Sequence, residues 1–563
     1  MVAPSNSAVA IERVFAVTCT QPLHLNLTLP GSITSVIRRV RNTYNAATTD
    51  GEFNMLNDVI ELTSTATYTA ERLRARLAAR DVSAKAGLGQ FMTPSVVASF
   101  MADMFDKTPR VLRLLDAGAG VGALSAAAVS KAVRGSVRPE KIEVTAFEVD
   151  PTLVLGLQAT LQQSQEEARA AGVKMTFKIH TVDFIEASTS LDFLDARSSG
   201  LYNWVILNPP YKKLNSESAA RTALRSVGVE TSNFYSAFVV LAARQLAPDG
   251  QLVAITPRSF CNGVYFKPFR EELLSAYALT RVHVYDSRQD AFSDDDVLQE
   301  NIIFCMSKTE LRSGYVTIST SHSPADLNIR AREVPFEELV VPGDRHQFIR
   351  LPQSVTDAAL AEAVRTLPAT LESLGFNVST GRVVDFRALD LVRPEETDDA
   401  VPLIYPAHFD DGLIKWPVEM RKKSNVIKCC DESMKLLVRA GFYTLTKRFS
   451  SKEEKRRITA AVFDPTKVEC ELVGFENHVN YFHKAGRALE EMEAKGLTIY
   501  LNSAPVDQYF RQFSGHTQVN ATDLRNLHYP CIGDLLMLGA EFSALNSDPV
   551  AANLAIQAIL QRQ

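Results

Sequence analysis

Short apolar runs alternate with longer mixed stretches through the first half of this chain, at the spacing expected of strands separated by helices. Trp204-Val205-Ile206-Leu207 is apolar at every position, the pattern of a strand buried on both faces of a parallel sheet. Leu114-Leu115-Asp116-Ala117, Val144-Thr145-Ala146-Phe147, Met175-Thr176-Phe177-Lys178-Ile179-His180, residues 250–257 and Asn301-Ile302-Ile303-Phe304-Cys305-Met306 read as further strands of the same sheet. Helices are expected at residues 68–77 and 234–238. The order predicts an α/β domain over residues 81–320, entered from an N-terminal helical or irregular segment over 1–80. Ser-Pro-Ala-Asp and Val-Pro-Gly-Asp punctuation predicts a linker from about 320 to 345. Beyond it the strand–helix alternation stops, and a mixed α+β domain is expected over 345–563.

The strand ends carry the candidate chemistry. Asn208-Pro209-Pro210-Tyr211 follows the most apolar strand directly, so it should stand at the carboxyl edge of the sheet, where α/β folds place their sites. Prolines cannot donate backbone hydrogen bonds and hold the chain extended. Nearby carbonyls are therefore left as acceptors, and Asn208 adds a side-chain one. Such oxygens can accept both protons of a planar amino group and make its nitrogen lone pair available, while Tyr211 can stack on the ring. The same tetrapeptide can also be a plain strand-ending turn.

Upstream, Asp116-Ala117-Gly118-Ala119-Gly120-Val121-Gly122 forms a glycine-rich turn between a strand and a helix, a geometry that lets backbone approach a ligand. Glu148, at the end of the next strand, is placed to accept from a ribose diol. Asp183 and Phe184, after the third, offer an acceptor for an adenine amino group and a ring to pack on it. Each acid alone is an ordinary loop residue; the order of the four strand ends is the signal.

That order resembles the S-adenosylmethionine-dependent amino-methyltransferases. With Gly89-Gln90-Phe91-Met92-Thr93-Pro94 ahead of the glycine turn, it resembles their gamma class of DNA adenine-N6 methyltransferases. The resemblance covers about residues 85 to 310. It implies a Rossmann-like fold with S-adenosylmethionine as cofactor. Phe91, Thr93 and Pro94 would close over the methionine part, Asp116, Gly118 and Gly120 would sit at the methionine end, Glu148 at the ribose, and Asp183 with Phe184 at the adenine. Asn208, Pro209, Pro210 and Tyr211 would be catalytic, and Phe292 would be the second ring on the target base.

Net charge of −5 does not mark a nucleic-acid binder, but residues 415–457 carry thirteen Lys/Arg against five acids. This is either a solvated helical face or a phosphate-binding patch. Residues 378–387, 402–409, 447–454 and 474–481 resemble the target-recognition region of the PstI/BsuBI-like branch of restriction–modification enzymes. On that resemblance Arg382, Lys422, Lys423, Lys447, Arg448 and Lys452 would contact DNA; His516, Gln518 and Asn520 form a candidate base-reading loop, because Gln and Asn can pair bidentately with adenine. The partner is then double-stranded DNA, together with a separately encoded restriction endonuclease if one exists.

The seven cysteines form no zinc-spaced cluster, and no metal is expected. No run of eighteen apolar residues or secretory leader occurs, so neither a membrane nor export is expected, and the reading is cytoplasmic. Protein glutamine and RNA present similar amino-methylation problems and stay as alternative substrates. An inactive DNA-specificity module is the non-enzyme alternative.

Overall fold

The computed structural model describes residues 64–78, 92–190, 201–285, 300–309, 314–324, 326, 328–393, 399–421, 423–450, 454–514 and 517–562. A nine-stranded sheet dominates the first part: β1 (Val111–Ala117), β2 (Lys141–Phe147), β3 (Lys174–His180), β4 (Tyr202–Leu207), β5 (Leu246–Pro257), β6 (Ala278–Tyr285), β7 (Asn301–Ser307), β8 (Tyr315–Ser321) and β9 (Arg330–Pro335). Their order across the sheet is 3-2-1-4-5-7-6-8-9. β1 to β5 run parallel, β7 is antiparallel to β5 and β6, and β9 is antiparallel to β8.

Chain direction across the sheet reverses between β1 and β4, which pair with Asp116 opposite Ile206. This is the crevice in which open α/β sheets bind ligands. The glycine turn after β1 and the Asn-Pro-Pro-Tyr corner after β4 are thus neighbours, although ninety residues separate them.

Helices cover both faces: α1 (Thr65–Ala78), α2 (Ser95–Asp103), α3 (Ala123–Arg134), α4 (Pro151–Ala170), α5 (Phe184–Thr189), α6 (Ala219–Ser226), α7 (Phe234–Ala243) and α8 (Lys267–Ala276). Side chains alternate across the pleat. Trp204 and Ile206 join Leu112 and Leu114 under α2, α3 and α4. Val205 and Leu207 join Leu115 and Ala117 under α5, α7 and α8. Residues 204–207 of β4 are consequently buried on both faces, which is why that stretch is continuously apolar. α1 belongs to this packing rather than merely leading into it: Ser64 Oγ and Ala66 N both donate to Glu167 on α4, and Leu73 lies against Gly156.

The stretch expected as a linker is different. The sheet runs on through β9 to Pro335, followed by a short helix, Phe336–Leu339. β9 is an edge strand with exposed Arg330, Ala331 and Glu333, so its composition resembles a loop.

The C-terminal part is mixed α and β. A six-stranded sheet contains Asn377–Thr380, Val479–His483, Tyr443–Lys447 and Ala460–Phe463, and a five-stranded one contains Ala400–Ile404, Val426–Lys428 and Leu472–Phe475. The basic segment threads these strands rather than forming a helical face. Helices Glu491–Leu501 and Ile532–Ala540 touch backbone to backbone: a Cβ on Gly496 would lie 1.8 Å from Leu535 O, and one on Gly539 2.0 Å from Met492 O.

Candidate active site

Gly118, Gly120 and Gly122 all adopt positive φ (87°, 56° and 88°), which turns the chain sharply from β1 into α3. The N–H groups of Gly118 and Ala119 both donate to Phe147 O, pinning the turn to the end of β2. A Cβ on Gly120 would meet nothing within 4 Å, whereas one on Gly122 would lie 3.0 Å from Leu157. Gly120 therefore opens onto space, and Gly122 serves close packing against α4.

Glu148 is 4 % exposed and ties the turn to α4: Oε2 accepts from Gly120 N and Oε1 from Asp150 N, each at 2.8 Å. Burial raises its pKa, against the opposing pull of those two backbone N–H groups. Asp116 lies under the turn, fully buried. Its Oδ2 accepts from Ser125 Oγ at 2.6 Å, and its Oδ1 has no hydrogen-bond partner. Burial lifts its pKa from 3.8 to about 7, partly offset by the Ser125 bonds. Asp183 caps α5 through Oδ1, which accepts from Ile185 N and Glu186 N. Phe184 is wedged between Phe147 and Phe238, at ring-centroid distances of 5.2 and 5.1 Å.

Gly118, Gly120, Phe147, Glu148, Asp183, Phe184 and Phe238 border one cavity of about 270 Å³. Of the residues singled out from the sequence, Thr93, Gly118, Gly120, Glu148, Asp183, Phe184, Asn208 and Pro210 line it; Pro94, Asp116, Pro209 and Tyr211 do not. Pro94 is the residue preceding α2. Phe91 and Phe292 lie outside the described residues. Met92, Val182, Lys212, Phe234 and Phe238 also line the cavity and were not singled out. Met92 stands inside the Gly89–Pro94 motif and Lys212 directly after Asn208–Tyr211, and position was the one signal for either. Phe238 reads as helix core, and only the packing of α7 against the glycine turn brings it to the site.

At the corner itself, Asn208 Nδ2 donates to Thr93 Oγ1 at 3.0 Å, and the Tyr211 hydroxyl donates to Asn208 Oδ1 at 3.0 Å. Ile255 O also lies 3.3 Å from that hydroxyl. Burial drives the Tyr211 pKa far upward, so the phenol stays neutral. The Tyr211 ring meets Tyr235 edge-on at 6.4 Å.

The residues fit S-adenosylmethionine. A glycine turn open at Gly120, a buried carboxylate at Glu148 and an aromatic wall at Phe184 are grouped in one cleft, with an unpartnered carboxylate oxygen of Asp116 beneath it.

In the C-terminal part, Arg448 donates to Asn477 O and to Gln518 Oε1, and Phe449 bridges to Gln518. Arg448 and Gln518 are thereby brought together. Lys447 lies over the Phe409 ring, Lys423 over Tyr405 and beside Asp385, and Arg382 is exposed with a bond to Lys435 O. Asn520 caps the short helix Ala521–Arg525 and bonds Asp523. Its side chain is thus used in holding that helix. Arg457, part of the basic segment, is buried on Ser450 O and Ser514 and faces no solvent. Lys422, Lys452 and His516 lie outside the described residues. Phe449 is 43 % exposed and packs on His478 at 4.8 Å; both fall within motifs noted in the sequence, but neither was singled out.

The comparisons with known proteins point to one family. Residues 142–292 match the family model for the Eco57I restriction-modification methylase. The chain is 43 % identical over 450 residues to the type II methyltransferase M.PstI of Providencia stuartii, covering 80 % of this chain and 88 % of that protein. It is 41 % identical over 461 residues to the type II methyltransferase M.BsuBI of Bacillus subtilis, covering 81 % and 90 %. A shorter likeness, 26 % over 223 residues, covers 38 % of this chain and 36 % of M.AccI of Acinetobacter calcoaceticus. With relatives so similar over most of its length, and with a cleft shaped for S-adenosylmethionine, the chain belongs to the type II DNA methyltransferases of restriction–modification systems.

Proposed function

We propose that this enzyme transfers a methyl group to N6 of an adenine rotated out of duplex DNA, the activity of EC 2.1.1.72. The observation that carries the reading is the placement of Asn208 and Pro210 on the same cavity as Gly118, Glu148 and Phe184. A stacked base cannot reach such a cleft, so the target nucleotide must swing out, at a cost of a few kcal/mol offset by stacking and hydrogen bonding.

When bound, the cofactor supplies an electrophilic methyl on its sulfonium. Asn208 Oδ1 and the Pro209 carbonyl accept the two N6 protons, which localises the nitrogen lone pair for in-line attack. The Tyr211 ring packs on the base, and Phe292 is assigned the opposite face. Glu148 accepts from the ribose hydroxyls, and Asp183 with Phe184 takes the adenine end of the cofactor. Acceleration comes from positioning and from fixed dipoles rather than from a covalent intermediate.

Residues 64–335 form the catalytic domain in this reading, α1 included, and 345–563 recognise the target site. Lys447, Arg448 and Lys423 supply phosphate contacts, with Gln518 beside Arg448 as a reader of base edges. The proposed setting is cytoplasmic, opposite a separately encoded endonuclease of the same specificity. No helix of the described residues is long and apolar enough to cross a membrane.

Incubation of the full-length protein with labelled S-adenosylmethionine and mixed-sequence DNA, followed by nucleoside analysis, tests the proposal. N6-methyladenine confined to one sequence context is expected, and label in cytosine or in protein would refute it. Asn208→Ala should abolish transfer while changing DNA affinity little.

A further inference from the structure

Thr93 stands where the cofactor side and the target side of the cleft meet. It lies two residues before α2, lines the cavity and is 6 % exposed. Its Oγ1 accepts from Asn208 Nδ2 at 3.0 Å, while on the other end of the same amide Tyr211 donates to Oδ1. The terminal torsion of an asparagine is broad and roughly two-fold, so nothing in the side chain itself chooses between its two amide orientations. The choice matters here. Turned by half a rotation, Asn208 would present N–H to an amino group that itself offers N–H, and the acceptor would be lost. With the Thr93 oxygen accepting from Nδ2 and the Tyr211 hydroxyl donating to Oδ1, the two hydroxyls together hold the orientation on which the chemistry depends.

We infer that Thr93 is a positioning residue for methyl transfer: its hydroxyl oxygen holds the Asn208 amide with the carbonyl facing the target nitrogen. This rests on reading the corner as an amino-methylation site. It differs from the role that family resemblance implies for Thr93, contact with the methionine part of the cofactor. An amide oxygen accepts two hydrogen bonds, so Oδ1 can keep the Tyr211 hydroxyl while receiving a proton from the target. The segment that borders the cofactor cleft through Met92 and Thr93 is then also the segment that aims the catalytic acceptor.

The test compares full-length wild type with T93V, T93S and T93A, each first checked by thermal melting. The quantities are the single-turnover methyl-transfer rate at saturating DNA and S-adenosylmethionine, and the calorimetric Kd for S-adenosylmethionine. T93V is expected to lower the saturating rate about tenfold, the worth of one orienting hydrogen bond, with Kd moving less than about threefold. T93S should recover the rate to within about threefold of wild type. T93A replaces T93V in the same comparison if the valine variant does not fold.

An unchanged saturating rate with a weakened Kd would overturn the inference and leave Thr93 a cofactor contact alone. A serine variant as slow as T93V would overturn it too, since shape rather than the hydroxyl would then be decisive. Wild-type enzyme that methylates no adenine would instead overturn the reading of the corner, and that result is visible before any variant is made.

Discussion

Asp116 shows how much the local environment decides at the scale of one residue. Its carboxyl is fully buried, takes hydrogen bonds from Ser125 alone and titrates near 7 rather than 3.8. The native state thus holds a proton that the unfolded chain has already released, and between about pH 4 and 7 stability falls as pH rises. The slope due to one such group approaches about 1.4 kcal/mol per pH unit. Asp116→Asn keeps an acceptor for Ser125 and removes the titration, so urea denaturation midpoints should decline less steeply from pH 4.5 to 7 in the variant, a range set by the shift from 3.8 to about 7. Parallel curves would show that Asp116 ionises normally. Nothing in Leu-Leu-Asp-Ala-Gly reveals this. An acid at a strand end reads as a ligand contact, and its depth is known only once α3 and β2 close over it.

Among the elements, the glycine turn between β1 and α3 separates two kinds of demand. Gly120 and Gly122 both have positive φ, but only Gly122 is hemmed in, with Leu157 and Thr160 of α4 within 3.3 Å of a would-be Cβ. Gly122→Ala should lower stability by more than the roughly 1–2 kcal/mol of left-handed strain alone. Gly120→Ala should stay near that strain and instead weaken S-adenosylmethionine binding, because its methyl enters open space at the cavity. Melting temperatures and calorimetric Kd values of the two variants check this, and equal losses of both quantities in both variants would contradict it. The three glycines are plain in the sequence, but the partner of each is not. β9 teaches the complementary lesson: an edge strand with polar, half-exposed residues carries too little hydrophobic pattern to be told from a linker.

For the whole molecule, the critical contacts join the end of β5 to the C-terminal part. Arg258 pairs with Glu300 at 2.6 Å, both side chains 3 % exposed, and also donates to the carbonyls of Arg511 and Gln512. Asn262 donates to Asp523, whose own carboxyl is raised to about 6 by burial. Arg258→Ala takes this guanidinium away from the buried Glu300 and should cost about 3–5 kcal/mol, whereas replacing both members by apolar residues of similar volume should cost far less. Denaturant midpoints of the single and double variants decide this. If the double variant is the less stable, the ion pair contributes net stability, contrary to the expectation. Because this junction lies next to the strand carrying Ile255, which the Tyr211 hydroxyl approaches, loosening it should weaken DNA binding more than cofactor binding.

By itself the sequence determined the α/β class, the order of strand ends and the identity of the residues on them, because backbone periodicity and proline or glycine chemistry are local properties. Only the tertiary structure decided that Thr93 meets Asn208, that Asn520 and Arg457 are engaged within the fold, and that β9 completes the sheet. Those outcomes depend on groups far apart in the chain meeting at hydrogen-bond distance, and on which of them is cut off from water, neither of which is encoded in any local pattern.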